Sequence, residues 1–151
     1  MDNSVREFII LYEKDVLRFC FYLTRHEAIA TDLAQETFLK ALTQSFQNVK
    51  SPKAYLFQIS KNLFIDFKRR KKYEQTLIDS KQFLATSVSE AELEVWQVLV
   101  SLDSDEQEVI LLVDREGLSV NEAAKVIGVS ESALKSRLFR ARENYQKKWN
   151  I

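Results

Sequence analysis

Residues 116–142, EGLSVNEAAKVIGVSESALKSRLFRAR, constrain the fold more than any other stretch of the chain. They read as a helix, a three-residue turn and a second, basic helix. Ser119 and Glu122 have the spacing of a capping box, in which the serine hydroxyl serves amides of the first turn and the glutamate reaches back. Ala123, Ala124 and Ile127 put small and apolar groups on one face, small enough for another helix to cross closely. Gly128 ends this helix, because a residue without Cβ enters a left-handed turn with the least strain. Ser130 can cap the next helix, whose apolar face is Leu134, Leu138, Ala141 and Tyr145. Its other face carries Ser132, Lys135, Ser136, Arg137, Arg140 and Arg142. That is the layout of a helix-turn-helix, whose second helix enters the DNA major groove. A helical hairpin with a solvated charged face has the same pattern, and this window alone leaves it open.

A chain of 151 residues suits one compact domain or two small ones. Two glycines, one proline and 46% apolar residues argue against disorder and for a helix-rich protein. The single Cys20 excludes a disulfide framework, and with the single His26 it leaves no zinc cluster. Cys20 lies at helical spacing with Val16 and Leu23, which reads as a small buried core residue. No apolar run approaches the length of a membrane span, and MDNSVREF lacks a signal-peptide pattern. The expectation is a cytoplasmic protein with no direct membrane insertion, no metal and no cofactor.

A formal net charge of zero looks wrong for a DNA binder, so its distribution matters. Residues 1–72 hold 13 Lys+Arg against 8 Asp+Glu, a surplus of +5. Residues 73–91 hold 1 against 3, and residues 92–151 hold 8 against 11. Within that last block, 130–148 carry six basic and two acidic groups, a local +4. The acidic surplus sits upstream, in Glu92, Glu94, Asp103, Asp105, Glu106, Glu108, Asp114 and Glu116. Patches govern phosphate binding better than the total does. The neutral total predicts weak non-specific DNA affinity for the chain alone.

Apolar spacing predicts two helical blocks and an all-α fold. Phe8, Leu11, Tyr12, Val16, Phe19, Cys20 and Leu23 mark a first amphipathic helix. A second runs from about Ala28 to Phe46, with Leu33, Ala34, Phe38, Ala41 and Leu42 inward. Ser51-Pro52 starts a third, carried by Tyr55, Leu56, Ile59, Leu63 and Phe67 into KRRKK at 68–72. Residues 73–88 lose periodicity and read as a linker. Overlapping boxes Ser87…Glu90 and Ser89…Glu92 open a helix with Leu93, Trp96, Leu99, Val100 and Leu102. Ser104…Gln107 opens the next, with Val109, Ile110, Leu112 and Val113. The run VILLV has strand composition, but nothing nearby offers a partner strand or hairpin turn.

Segment 50–72 interleaves Tyr55, Phe57, Phe64 and Phe67 with Lys53, Lys61, Lys68 and Arg69–Lys72. Single-stranded DNA is held this way, bases stacking on rings while phosphates meet cations. Core packing competes as the reading for each aromatic, Phe67 in particular, and a solvated tail competes for KRRKK. In DLAQETFLKAL at 32–42, Asp32, Gln35 and Glu36 lie opposite Leu33, Phe38 and Leu42. Spacing alone does not separate a docking face from a plain exposed one.

Taken together, these segments resemble the extracytoplasmic-function (ECF) sigma factors, small bacterial transcription initiation factors. DLAQETFLKAL is similar to the family segment that docks on the clamp helices of RNA polymerase. AYLFQISKNLFIDFKRRKK is similar to the part that recognises and opens the −10 element, and GLSVNEAAKVIGVSESALKSRLFRAR to region 4, which reads the −35 element. The resemblance implies region 2 over 1–72, a linker over 73–88 and region 4 over 89–151. It implies core-polymerase docking by Asp32, Gln35 and Glu36, and −10 contacts by Lys61, Asn62, Asp66, Arg69 and Arg70. Asp66 is equally readable as an internal helix partner. It implies −35 reading by Ser132, Lys135, Ser136, Arg137 and Arg140, arginine suiting guanine and Ser and Lys suiting phosphates. Opening the −10 element would take a base out of the stack, at about a few kcal/mol. The polymerase supplies the catalysis, so the chain itself is not an enzyme. The resemblance also implies an anti-sigma partner.

Two features depart from the family. It usually carries Leu-Pro at the entry to region 4 and a basic residue four positions after the Pro; here stand Leu102-Asp103 and Gln107. A start capped by Ser104 can replace the proline. Segment NVKSPKAYLFQISKNLFIDFKRR leans towards the iron-starvation (ferric-citrate type) subgroup, whereas KSRLFRAR follows the general pattern. The rival reading is a helix-turn-helix repressor or activator acting without a sigma role, which would normally dimerise and need no docking face. A nucleic-acid enzyme would need a carboxylate–metal site or an activated nucleophile, and neither is visible; two glycines leave no phosphate-cradling loop.

Overall fold

The first reversal of the chain is made without glycine. Helix α1 (Asn3–Thr24) ends where Arg25 adopts φ +54, a left-handed conformation that costs a non-glycine residue about 1–2 kcal/mol. Thr24 is buried and its hydroxyl donates to Cys20 O at 2.9 Å, while the Arg25 amide closes on Phe21 O at 2.8 Å. Arg25 in turn lies over the Tyr22 ring, 5.2 Å from its centroid. His26 then caps helix α2 (Glu27–Leu42), its Nδ1 accepting from the Ile29 amide at 3.3 Å. This computed structural model describes residues 3–44, 46–70 and 90–149. The chain divides into two units, Met1–Ile78 and Asp79–Ile151.

In the first unit α2 buries Ala30, Leu33, Ala34, Thr37, Phe38 and Ala41, a continuous 3.6-residue stripe. It stops four residues short of the predicted end. The Thr43 hydroxyl donates to Lys40 O at 2.7 Å and its amide takes the same carbonyl, which tightens the last turn. A short 3₁₀ turn, Phe46–Asn48, follows. Phe46 there packs on Phe8, ring centroids 4.5 Å apart, and Phe8 meets Tyr12 and Phe38 edge-on.

Helix α3 (Pro52–Arg70) begins with proline at its first position, where no amide is needed. Its buried stripe is Ala54, Leu56, Phe57, Ser60 and Phe64. Tyr55, Ile59, Leu63 and Phe67, expected inward, are only half-buried, so α3 is rotated from its predicted setting. The rotation is explained by Phe57, which stacks on Phe19 at 4.5 Å with both rings wholly buried. The same effect appears in α1: Leu11 is 68% exposed, while Phe21 and Tyr22 are inside. Helices α1, α2 and α3 each pack on the other two. One small side chain from each, Cys20, Thr37 and Ser60, meets at their centre; the two hydroxyl oxygens are 3.0 Å apart. Burial pushes the Cys20 thiol up to about 12, against the weaker pull of the two hydroxyls. It is a core residue, as its spacing predicts.

The second unit runs α4 (Glu90–Val100), α5 (Ser104–Ile110), α6 (Val120–Ile127) and α7 (Glu131–Trp149). The predicted linker 73–88, Lys71 and Lys72 of the basic run, and Ser87 and Ser89 lie outside the described residues, as do the side chains of Glu92 and Leu93. The predicted cap at Ser104 is corrected: Asp103 is the N-cap, and its side chain makes no cap bond. Gln107 turns inward, donating to Val100 O at 3.2 Å and Leu102 O at 2.6 Å, so it closes the end of α4. Lys148 Nζ reaches Ser101 O at 2.8 Å across the same turn. VILLV is helical, but its turn widens to π geometry over Leu111–Arg115, closed by Glu116 N on Leu111 O at 2.8 Å. Among the described residues there is no strand, and none of their helices is long and apolar enough to cross a membrane.

Candidate nucleic-acid interface

The α6–α7 pair is built as its sequence predicts. Both halves of the capping box form, with Ser119 Oγ accepting from Glu122 N at 3.1 Å and Glu122 Oε1 from Ser119 N at 2.9 Å. Gly128 takes φ +88 at the end of α6, and Ser130 Oγ accepts from Ala133 N at 3.1 Å at the start of α7. Ala123 and Ala124 are buried as expected; Val126 completes that face, with Ile127 only half-buried. Leu134, Leu138 and Ala141 seat α7 in the core, and Tyr145 is half-buried. Desolvation holds the Tyr145 phenol above its usual value.

The five residues predicted to read duplex DNA divide on α7. Ser132, Lys135 and Ser136 are exposed on the outer face. Phe139, one turn further on, shares that stripe and is 65% exposed. Sequence reasoning missed it, although a large apolar residue among polar neighbours on a non-core face is a readable signal. Arg137 and Arg140 lie to the side and line a cavity of about 290 Å³ against the first turn of α5. Arg142, grouped with the basic face by spacing, is engaged within the unit. Its guanidinium forms a bidentate pair with Asp114, at 2.6 and 3.1 Å, which raises the Arg142 pKa.

In the first unit, the three predicted docking residues Asp32, Gln35 and Glu36 are all exposed on α2. They straddle two grooves. Asp32 and Glu36 face α3 across a groove of about 510 Å³ shared with Leu63, Asp66, Phe67 and Arg70. Gln35 borders a second, more apolar groove of about 700 Å³ against Ile9 and Leu17 of α1. Leu39, 66% exposed, continues the Asp32–Gln35–Glu36 stripe, and the sequence reading did not single it out.

The predicted −10 residues follow α3. Asn62, Arg69 and Arg70 are exposed, and Lys61 and Asp66 half-buried. Of the four interleaved aromatics, Phe57 and Phe64 belong to the core and Tyr55 and Phe67 remain partly accessible, the reverse of the expectation for Phe67. Lys68 lies over the Phe64 ring at 5.3 Å, and Lys53 pairs with Asp15 at 3.5 Å. Among the described residues no cluster of three His, Cys, Asp or Glu could hold a metal ion.

Two family models match the chain, Sigma-70 region 2 over residues 8–73 and Sigma-70 region 4 over residues 92–144. The ECF RNA polymerase sigma factor SigM of Bacillus subtilis (strain 168) is 33% identical, covering 97% of this chain and 96% of its own. The chain belongs to the ECF sigma factors. Among solved structures, this sigma factor is similar to RpoE of Bartonella quintana, solved with the anti-sigma factor NepR. The TM-score is 0.77 at 24% identity, over 99% of each chain, which shows a shared fold. The ferric citrate uptake sigma factor FecI of Escherichia coli (strain K12) is more distant: 29% identical, over 76% of this chain and 73% of that one.

Proposed function

We propose that this sigma factor binds core RNA polymerase through the exposed stripe of α2 and grips the promoter twice, with α3 at the −10 element and α7 at the −35 element. Domain roles follow the boundaries read from the sequence: 1–72 for docking and melting, 73–88 as linker, 89–151 for −35 recognition. The carrying observation is α7 itself, seated by Leu134, Leu138 and Ala141 with a polar stripe turned outward behind a glycine-terminated helix. On that stripe Ser132, Lys135 and Ser136 suit phosphates and base edges, with Arg137 and Arg140 beside them. Phe139 adds an apolar surface of the kind that meets a thymine methyl. Asp32, Gln35, Glu36 and Leu39 form the docking stripe. Lys61, Asn62, Asp66, Arg69 and Arg70 line α3 for the opened strand. The polymerase performs the chemistry, and the protein acts in the cytoplasm where the polymerase is.

The repressor or activator reading is not favoured, because the relatives match both units and not the helix-turn-helix alone. An anti-sigma protein is the proposed regulator, supported by the similar fold of a sigma factor solved with one. The iron-starvation subgroup is supported only by the segment at 48–70 and the FecI likeness. Run-off transcription with core polymerase on the gene's own upstream region tests the function. Sigma-dependent start sites are expected; in gel filtration with and without core polymerase, a stable dimer indifferent to core would overturn the reading. Asp32→Ala/Glu36→Ala should lose co-purification with core at unchanged helix content; undiminished co-purification would remove those residues from the docking face.

A further inference from the structure

Acidic residues in the first turn of a helix ordinarily need no explanation beyond the helix dipole. The turn at the start of α5 differs in what it faces. Asp103, Asp105 and Glu106 line one cavity together with Arg137, Arg140 and Asn144 of α7. Asn144 Nδ2 donates to Glu106 Oε2 at 2.5 Å, which fastens the acidic turn to the recognition helix. Three acidic and two basic residues thus border this cavity of about 290 Å³. A space of that volume is about as wide as the Debye length at physiological salt, about 8 Å, so the charges around it are only partly screened from one another.

Duplex DNA carries one phosphate charge per roughly 1.7 Å of axis, and that charge supplies nearly all sequence-independent affinity. A phosphate drawn to Arg137 or Arg140 meets the α5 carboxylates at the same place. Ser132, Lys135, Ser136 and Phe139 lie outside this cavity, on the outer stripe.

We propose that Asp103, Asp105 and Glu106 act as an electrostatic brake on α7, lowering the pull of Arg137 and Arg140 on phosphates of any sequence while the outer stripe of Ser132, Lys135, Ser136 and Phe139 keeps its contacts. The brake bears on selectivity, because specificity is the ratio of promoter to random binding and the outer stripe lies away from the carboxylates. The proposal rests on α7 being the DNA-reading helix.

The test uses the full chain, with fluorescence anisotropy on a −35 duplex and on a random duplex across a salt series. Asp105→Asn/Glu106→Gln removes two charges at nearly constant shape and keeps an acceptor for Asn144. Random-duplex affinity should rise about three- to tenfold, the log–log salt slope steepen by about one, and the promoter-to-random ratio fall. Glu90→Gln/Glu94→Gln changes the net charge equally from α4 and should shift affinity less than twofold. An unchanged random-duplex affinity, or an equal rise in the α4 control, overturns the brake. Lys135→Ala separates the two claims. If it leaves −35 binding intact, the reading of α7 fails; if it weakens binding while the double variant is silent, the brake alone fails.

Discussion

Helices α3 and α7 carry the proposed contacts to DNA, and each is 19 residues long, yet they are embedded differently. Helix α3 is a full member of the core it forms with α1 and α2, with Leu56, Phe57 and Ser60 completely buried. Helix α7 gives its unit Leu134, Leu138 and Ala141 and leaves most of its circumference exposed. A helix that must both hold a core and meet a ligand has few positions where the two roles separate. On α7 they separate almost residue by residue, so its binding can be altered without unfolding the domain. The lesson is about tolerance: substitutions in α3 report on stability first, and substitutions in α7 report on binding first.

The largest expected effect breaks the comparison on the α3 side. Phe57→Ala removes a wholly buried ring stacked on Phe19 and should cost about 3–5 kcal/mol. Urea unfolding should show this loss in the first unit, with the second unit's transition unmoved. A shift below 1 kcal/mol would mean that α3 is not committed to its core. Next comes Arg140→Ala on α7, expected to weaken −35-dependent transcription by about 1–3 kcal/mol at an unchanged melting temperature. Full promoter output from both Arg140→Ala and Arg137→Ala would remove these side chains from the reading set. The smallest effect sharpens the contrast within α7. Asp114→Ala releases Arg142 from a surface pair and should cost only about 0.5 kcal/mol of stability. Because Arg142 regains its freedom, phosphate binding should hold or rise in a duplex titration; a fall would show that the pair orients α7 for DNA.

Much of this was legible in the sequence because it is local. Capping boxes, a glycine turn and a 3.6-residue stripe depend on neighbours within four or five positions, so α6 and α7 follow from residues 119–145 directly. The rotation of α3 was not legible. Both Phe57 and Phe67 fit an apolar face, and the choice depends on Phe19, 38 positions earlier in the chain. The cap at Asp103 was missed for a related reason: Gln107 has capping-box spacing but finds better acceptors in the carbonyls ending α4.

By itself, the sequence determined that the chain is all-α, where most helices start and stop, and which residue types are available for DNA and polymerase. Those properties come from backbone sterics, capping and periodicity, which act over one or two turns. Tertiary structure decided which aromatics are core, that Arg142 is engaged by Asp114, and that Asp32 and Glu36 share a groove with Asp66 and Arg70. It also brought the acids of α5 to the arginines of α7. Such pairings join residues about 30 to 40 positions apart, and only packing, which must fill one interior without gaps or unmet polar groups, selects among the alternatives that local rules allow.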